Sequence, residues 1–313
     1  MFQIINRIAP IIILLGIGKL FQVKKFISVQ TVVELKKLVV NLALPAVLFT
    51  SFLFVDLETE YFLFVPMILA YCILLYLLGL GLHRLLKVKG EYFPFLITGF
   101  EYGMMGVSLF GAAYGLSQIG KIAIIDLGQE TFIWFIYVAL LIRKRDGATS
   151  AGKLLKMFAT SPVIIAILAG LVLNLVGLPR VIDDIPLANG LLNAVELIGS
   201  LTVPLILIVV GYGIQIDMRE FVYAMRVILI RLAVNIPAAL LLNHFVVRGL
   251  MGLDLGFQAA LFTLLILPPP FILTLFMKQD LKEELHSVDN TLTLHTLVTI
   301  VIFIIYYALN PVI

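Results

Sequence analysis

The feature that most restricts the fold of this chain is a series of apolar stretches, each about 20 residues long, separated by short polar connections. A helix needs about 20 apolar residues to cross a bilayer, whereas a barrel strand needs about ten residues of alternating polarity. These stretches do not alternate, so helices are predicted. Only 13% of the residues are charged, against about 25% in soluble domains. The sequence therefore predicts an all-α membrane protein.

Ten transmembrane helices are predicted, with short connections between them. Their ranges are Ile4–Phe21, Lys36–Phe54, Tyr61–Leu86, Tyr92–Gly115, Ile119–Ile142, Leu155–Val176, Leu187–Gly213, Phe221–Val247, Leu255–Met277 and Val288–Leu309. Most of the 22 Lys and Arg residues cluster at the connections that follow odd-numbered spans. The positive-inside rule makes these connections cytoplasmic. We therefore expect a multi-pass protein of the plasma (cell) membrane with both termini outside.

The two halves of the chain share short patterns. Pro10 followed by Gly18 recurs as Pro162 followed by Gly170, and Asn41–Pro45 recurs as Ser200–Pro204. Five spans per half is an odd number, so a duplicated unit would lie in the membrane in opposite orientation. Inverted repeats are typical of secondary transporters, which bind substrate near the midplane where interrupted helices meet. The predicted fold is thus two inverted five-helix repeats.

The fourth and ninth helices are predicted to be broken and to cross. The ninth contains Pro268, Pro269 and Pro270, which remove backbone donors and cannot continue an α-helix. The fourth carries Gly99 and Gly111 and, shortly after Glu101, Gly103 and Gly106. Crossing breaks would direct half-helix N termini, with their positive dipole ends, toward one central point. We expect an anionic substrate to bind at that point, beside Gly103, Gly106 and the three prolines.

Several motifs occur along the chain in a specific order. They are Asn41-Leu42-Ala43-Leu44-Pro45, Ala113-Tyr114-Gly115 at the end of the glycine-rich fourth span, Thr160-Ser161-Pro162, Pro204 to Gly211, and the proline-rich ninth span. In this order they resemble the auxin efflux carrier family of membrane transporters, which includes plant auxin exporters and bacterial permeases assigned to malate or malonate. The resemblance covers essentially the whole chain.

The resemblance implies a division into two domains. A scaffold domain of residues 1–54 and 155–213 would contain helices 1, 2, 6 and 7 and often forms a homodimer. A transport domain of residues 61–142 and 221–309 would contain the other six helices and move like an elevator, with the fourth and ninth crossing at the substrate site. This chain departs from plant members at Glu101, where they have an asparagine.

Glu101 is the first candidate for ion coupling and for substrate binding. It lies nine residues into the fourth span, about 13 Å along a helix that rises 1.5 Å per residue. A charge at the membrane centre costs about 3 kcal/mol or more, so such a residue is a functional candidate by default. A carboxylate, unlike an amide, can carry a proton. We expect Glu101 to be protonated, or covered by sodium, before the anion binds; the structural alternative is a glutamate that pairs with a cation or caps a broken helix.

Other charged residues within the spans are also candidates for ion coupling. Asp126 and Glu130 share one face of the fifth span, because they are four residues apart. Arg231 lies well inside the eighth span. A buried pair of Glu130 with Arg231 is the preferred interpretation, since a lone buried charge is costly. Arg231 as the direct counter-charge of the substrate is the sharper alternative.

Three further polar residues have a functional and a structural interpretation. Asn41 and Ser200 occupy matching positions in the second and seventh spans and could contact substrate. Such groups more often bridge helices inside a membrane. His295 lies among threonines of the tenth span and could relay protons, although the simpler expectation is that it is hydrogen-bonded.

Enzymatic activity is not predicted. The chain has no HExxH, GxSxG or P-loop motif and no Cys or His cluster with metal spacing, so neither a metal nor a cofactor is expected. The predicted function is a proton-coupled secondary transporter of small organic anions, in particular carboxylates. Sodium-coupled transport and uncoupled uniport remain alternatives, as do a channel and a non-transporting sensor. The expected partners are the anion, a proton or sodium, membrane lipid and a second copy of the chain, with no nucleic acid.

Overall fold

The computed structural model of this chain describes residues 2–55, 58–86, 88, 90–147, 151–180, 186–278 and 280–310. All regular secondary structure in these ranges is helical. The α-helices are α1 Phe2–Val23, α2 Val29–Leu38, α3 Leu44–Phe54, α4 Phe64–Leu86, α5 Phe93–Ile97, α6 Val107–Tyr114, α7 Ile119–Phe132, α8 Val138–Asp146, α9 Ala151–Ala159, α10 Pro162–Leu175, α11 Pro186–Ser200, α12 Thr202–Gly213, α13 Phe221–Leu242, α14 Leu255–Ile266, α15 Ile272–Phe276 and α16 Lys282–Leu309.

Short π-helical segments adjoin some of these helices and extend or join them. They are Val39–Ala43, Tyr102–Gly106, Ile133–Tyr137 and Asn243–Leu250. Within the described ranges, seven helical stretches are long and apolar enough to cross a membrane. Three shorter apolar helices, Ile8–Val23, Pro162–Leu175 and Leu255–Ile266, lie in three of the other predicted spans. The prediction of an all-α membrane protein is confirmed at this level, and the inverted ten-helix repeat stays a prediction.

The fourth and ninth predicted spans are both interrupted. Between α5 and the π-helical segment Tyr102–Gly106, residues 98–101 are not helical. Between α14 and α15, residues 267–271 are not helical, because the three consecutive prolines have no N–H to continue the helix. The predicted breaks are thus present, although Gly103 and Gly106 lie in the helical segment after the first break and not within it.

The chain divides into two compact units. The first comprises Met1–Leu57, Gly103–Ala123 and Phe158–Ile214, and the second comprises Glu58–Tyr102, Ile124–Met157 and Gln215–Ile313. The roles of scaffold and transport domain expected from the resemblance stay predictions.

In the first unit, two helix pairs pack through glycines. Gly18 of α1 lies against the backbone of Ile208 in α12, and Gly170 of α10 lies against the backbone of Phe49 in α3. A Cβ at either glycine would collide with main-chain atoms, so these helices approach as closely as small residues allow in membrane interfaces. Gly18 and Gly170, which occupy matching positions in the two halves, therefore both permit close packing of a helix pair.

The first unit also shows two matching contacts at helix ends. Lys19 Nζ of α1 donates to Ile214 O, directly after α12, at 2.7 Å. Asn174 Nδ2 of α10 donates to Val55 O, directly after α3, at 2.7 Å. Carbonyls at the end of a helix have no intrahelical donor, and a side chain from the neighbouring helix supplies one in both cases.

The second unit holds most of the buried polar side chains of the described residues, among them Arg231, Asn235 and His295. Its α13 packs against α5, α14 and α16. Tyr71 of α4 donates to Asn235 Oδ1 of α13 at 2.6 Å. The two helix breaks lie in this unit. Buried polar side chains are therefore present in the same unit as the backbone groups that lack helical hydrogen bonds.

Candidate functional site

Two hydrogen bonds of Glu101 join the helix breaks at residues 98–101 and 267–271. The backbone N–H of Glu101 donates to Pro268 O at 2.8 Å. The Glu101 side-chain Oε2 accepts a hydrogen bond from the backbone N–H of Phe271 at 2.6 Å. Phe271 is the N-cap residue, directly before α15. The carboxylate therefore caps the break in the ninth span, which is the structural alternative stated above for Glu101. The N–H that it bonds lies where the sequence predicts an anion.

Gly99 permits the two breaks to approach this closely. Its φ is +71°, a left-handed conformation that glycine adopts without the cost that a Cβ imposes. A Cβ built on Gly99 would lie 2.8 Å from Pro270 Cγ. Both the backbone angle and the space beside Pro270 thus require the absence of a side chain.

Arg231 donates to carbonyl groups of both breaks and their flanks. Its Nη1 donates to Leu96 O at 3.0 Å, and its Nη2 donates to Gly99 O at 2.8 Å and to Leu267 O at 3.0 Å. The guanidinium carbon is 5.3 Å from the centre of the Phe100 ring. The side chain is 1% exposed. A guanidinium presents several donors in a fixed fork, so one positive charge faces the negative C-terminal ends of α5 and α14.

Other side chains donate to further carbonyls near the breaks. Gln129 Nε2 donates to Phe100 O at 2.9 Å, and Thr98 Oγ1 donates to Pro94 O at 2.9 Å. Thr299 Oγ1 of α16 donates to Ile266 O at 2.8 Å. Irregular backbone at membrane depth is tolerated only where protein or water satisfies it, and these side chains do so here.

The predicted buried pair of Glu130 with Arg231 is wrong. Among the described residues no ion pair joins them, because the Arg231 fork is directed at main-chain carbonyls. Glu130 Oε2 instead accepts from Trp134 Nε1, one turn later in the same span, at 2.8 Å. Asp126 is 1% exposed, and its Oδ1 accepts from Gln129 Nε2 at 2.8 Å. Gln129 thereby links Asp126 to the break in the fourth span.

His295 is fully buried on α16, and the hydrogen bonds expected for it are absent. Within the described part of the chain, neither ring nitrogen has a hydrogen-bond partner. The nearby threonines are committed elsewhere: Thr291 and Thr296 donate to carbonyls one turn earlier in α16, and Thr299 donates to α14. A role of His295 in proton relay stays a prediction.

Substrate contact at the other predicted substrate-binding residues stays a prediction. Asn41 and Ser200 are exposed and donate to Lys37 O and Leu197 O of their own helices, at 2.8 and 2.6 Å. Gly103 and Gly106 lie in the π-helical segment directly after Glu101. Gln129 was not predicted as a site residue. The sequence contained an indication of it, because a glutamine within an apolar span, three positions after Asp126, is a polar side chain that needs a partner.

Among the residues that the structure describes, no group of three or more His, Cys, Asp and Glu side chains could hold a metal ion. The chain was compared with protein-family models and with curated proteins, and neither comparison finds a match.

Proposed function

We propose that this chain is a secondary transporter of small organic anions, in particular carboxylates, and that Glu101 couples the anion to a proton. As the resemblance to auxin efflux carriers implies, we also propose ten helices in two inverted repeats, a transport domain that moves like an elevator and a homodimer formed by the scaffold domain. The observation that carries the proposal is the pair of hydrogen bonds by which Glu101 joins the two helix breaks.

Glu101 occupies the kind of position that an anionic substrate would need. Its carboxylate accepts from the Phe271 N–H, so a second carboxylate nearby would meet a negative charge. Two unit charges 4 Å apart repel by about 4 kcal/mol at an effective dielectric constant of 20, which is roughly a thousandfold in binding. Protonation of Glu101 removes this repulsion. Anion binding and proton binding would then promote each other, which is the requirement for symport.

The matching contacts of the first unit support the inverted repeat. Val55 and Ile214 each follow the proline of the shared pattern, Pro45 or Pro204, at the same distance along the chain. Each carbonyl accepts a side-chain hydrogen bond from the first helix of the other half, from Asn174 and from Lys19. Two halves that exchange equivalent contacts are what an internal two-fold relation predicts.

The test is uptake of labelled malate and malonate by the purified protein in proteoliposomes, measured across pH for the wild type and Glu101→Gln. We expect the wild-type rate to depend on pH and the rate of Glu101→Gln, which cannot exchange a proton, to lose that dependence. Glu283→Gln is the matched control, because it removes an exposed carboxylate of the same unit and should retain the wild-type profile. An unchanged pH dependence in Glu101→Gln would contradict proton coupling; rates that follow sodium instead would favour the sodium alternative.

A further inference from the structure

A cavity of about 280 Å³ opens in the second unit, at the end of α4. It is lined by side chains of α4, of α5 and the residue Glu91 before it, and of α8. They include Tyr76, His83, Arg84, Phe95 and Lys144. Ligand pockets are about 300–1,000 Å³, so this cavity suits a compact polar group. The helix breaks and their hydrogen bonds use other residues, and the transport proposal therefore does not account for it.

The cations that line the cavity outnumber the anions. Lys144 Nζ forms an ion pair of 2.9 Å with Glu91, and this hydrogen bond lowers the pKa of the Glu91 carboxyl. Glu91 thus stays ionised at neutral pH and offsets one positive charge. Within the described ranges, the Arg84 guanidinium has no hydrogen bond or ion pair, and His83 Nδ1 is buried without a partner. The Arg84 guanidinium therefore remains available to a ligand, and Lys144 has two N–H groups besides the one that bonds Glu91.

The place of the cavity in the sequence points to a lipid. It lies at the end of the third predicted span, on the side that the positive-inside rule makes cytoplasmic. Apolar side chains cover the adjacent surface of α4: Leu74 is 62% exposed and Leu77 is 55% exposed. A molecule with a negatively charged head and two acyl chains matches both surfaces. Basic pockets between transmembrane helices on the cytoplasmic side bind anionic head groups in this manner.

We propose that this cavity binds the phosphate of an anionic phospholipid through Arg84 and Lys144. The Arg84 guanidinium donates to two phosphate oxygens, as its fork geometry allows, and Lys144 adds a point charge. The acyl chains lie along the exposed leucines of α4.

The experiment measures thermal unfolding of the purified full-length protein in detergent, with increasing phosphatidylglycerol or phosphatidylcholine. Phosphatidylglycerol should raise the midpoint of unfolding, and phosphatidylcholine should not. Arg84→Gln and Lys144→Gln should each weaken the apparent affinity for phosphatidylglycerol about fivefold, since a basic residue near a charged membrane surface contributes about 1 kcal/mol. Lys36→Gln, an exposed cation of the other unit, is the matched control and should bind like the wild type.

Soluble sn-glycerol 3-phosphate at the same concentrations distinguishes the lipid from a free phosphate. If it raises the midpoint as strongly as the lipid does, the ligand is a soluble phosphate and the lipid assignment is wrong. If phosphatidylglycerol has no effect, or stabilises Arg84→Gln and Lys144→Gln as much as the wild type, the cavity is not its binding site.

Discussion

The Arg231 side chain stabilises the backbone of both interrupted spans. It donates to Leu96, Gly99 and Leu267, three carbonyls that lie on two different broken spans. A buried arginine without compensation would be strongly unfavourable. Here the charge and the unpaired carbonyls offset one another, so neither the breaks nor the arginine would be stable alone.

Arg231→Ala should lower the free energy of unfolding by about 3 kcal/mol or more, because each buried carbonyl left without a donor costs about 1–3 kcal/mol. Arg231→Lys should be intermediate, since an ammonium group lacks the planar fork. Chemical denaturation in detergent micelles, followed by circular dichroism, measures the change. Arg219→Ala removes an exposed arginine of the same unit and should change stability by less than about 0.5 kcal/mol. Equal stability of the two alanine variants would contradict the role of Arg231.

The contacts of Arg231 explain why its partner was not predictable from sequence. A search for a partner among charged side chains suggests Glu130, because a buried charge usually pairs with another. Carbonyl groups occur at every residue, and the sequence does not show which of them lose their donors. Glu101 was predictable as a candidate, since a carboxylate in an apolar span is conspicuous. Its bond to the Phe271 N–H depends on how two distant segments pack.

At the scale of the element, the break in the fourth span depends on Gly99. The sequence signal for this break was the set of four glycines Gly99, Gly103, Gly106 and Gly111; Gly99 lies in the break, whereas the other three are helical. Glycine is compatible with a helix as well as with a break, so its presence does not fix where the helix ends. The three prolines of the ninth span located its break correctly, because proline removes the donor itself.

Gly99→Ala should destabilise the protein by about 2 kcal/mol, since an L-residue at positive φ costs about 1–2 kcal/mol and its Cβ would meet Pro270. Gly81→Ala is the matched control: Gly81 lies inside α4, and a Cβ added there would have no neighbouring atom within 4 Å, so alanine should be neutral or stabilising by up to about 1 kcal/mol. Denaturation midpoints in the same detergent measure the stability of both variants. A Gly99→Ala protein as stable as Gly81→Ala would show that the break tolerates a side chain.

The segment between α12 and α13 is attached to α16 by Asp217. Its backbone N–H donates to Asn290 Oδ1 at 2.8 Å, and its carboxylate bonds His286 Nε2 at 2.8 Å. The hydrogen bond to His286, followed by one from the Arg219 N–H, lowers the pKa of Asp217. A folded-state pKa below the ordinary value of about 3.9 adds stability above that pH, and the addition is lost as pH falls through the lowered pKa.

Asp217→Asn should therefore unfold at a lower temperature than the wild type near neutral pH, and the difference should shrink below about pH 4. His286→Ala removes the donor and should show the same trend. Thermal unfolding across pH measures both. A difference that stays constant from neutral to acid pH would mean that the contact does not stabilise the folded state.

At the scale of the whole molecule, composition and the length of the apolar stretches predict a helical membrane protein, because each stretch is long enough to cross a bilayer as a helix. Seven helices of sufficient length and three shorter ones bear this out for the described residues. Helix lengths and charge do not identify a substrate, because the N–H groups proposed to bind an anion occur in every sequence. Glu101 and Arg231 are thus the residues through which the proposed function can be examined.

The central claim, that the chain moves a small organic anion together with a proton, is tested most directly by accumulation of labelled malate or malonate in proteoliposomes under an imposed pH gradient. With the lumen alkaline, the wild type should concentrate the anion above its equilibrium level, and a protonophore should abolish the accumulation. A sodium gradient alone should not drive it. Anion that only equilibrates across the membrane, whatever the pH gradient, would contradict coupling to a proton.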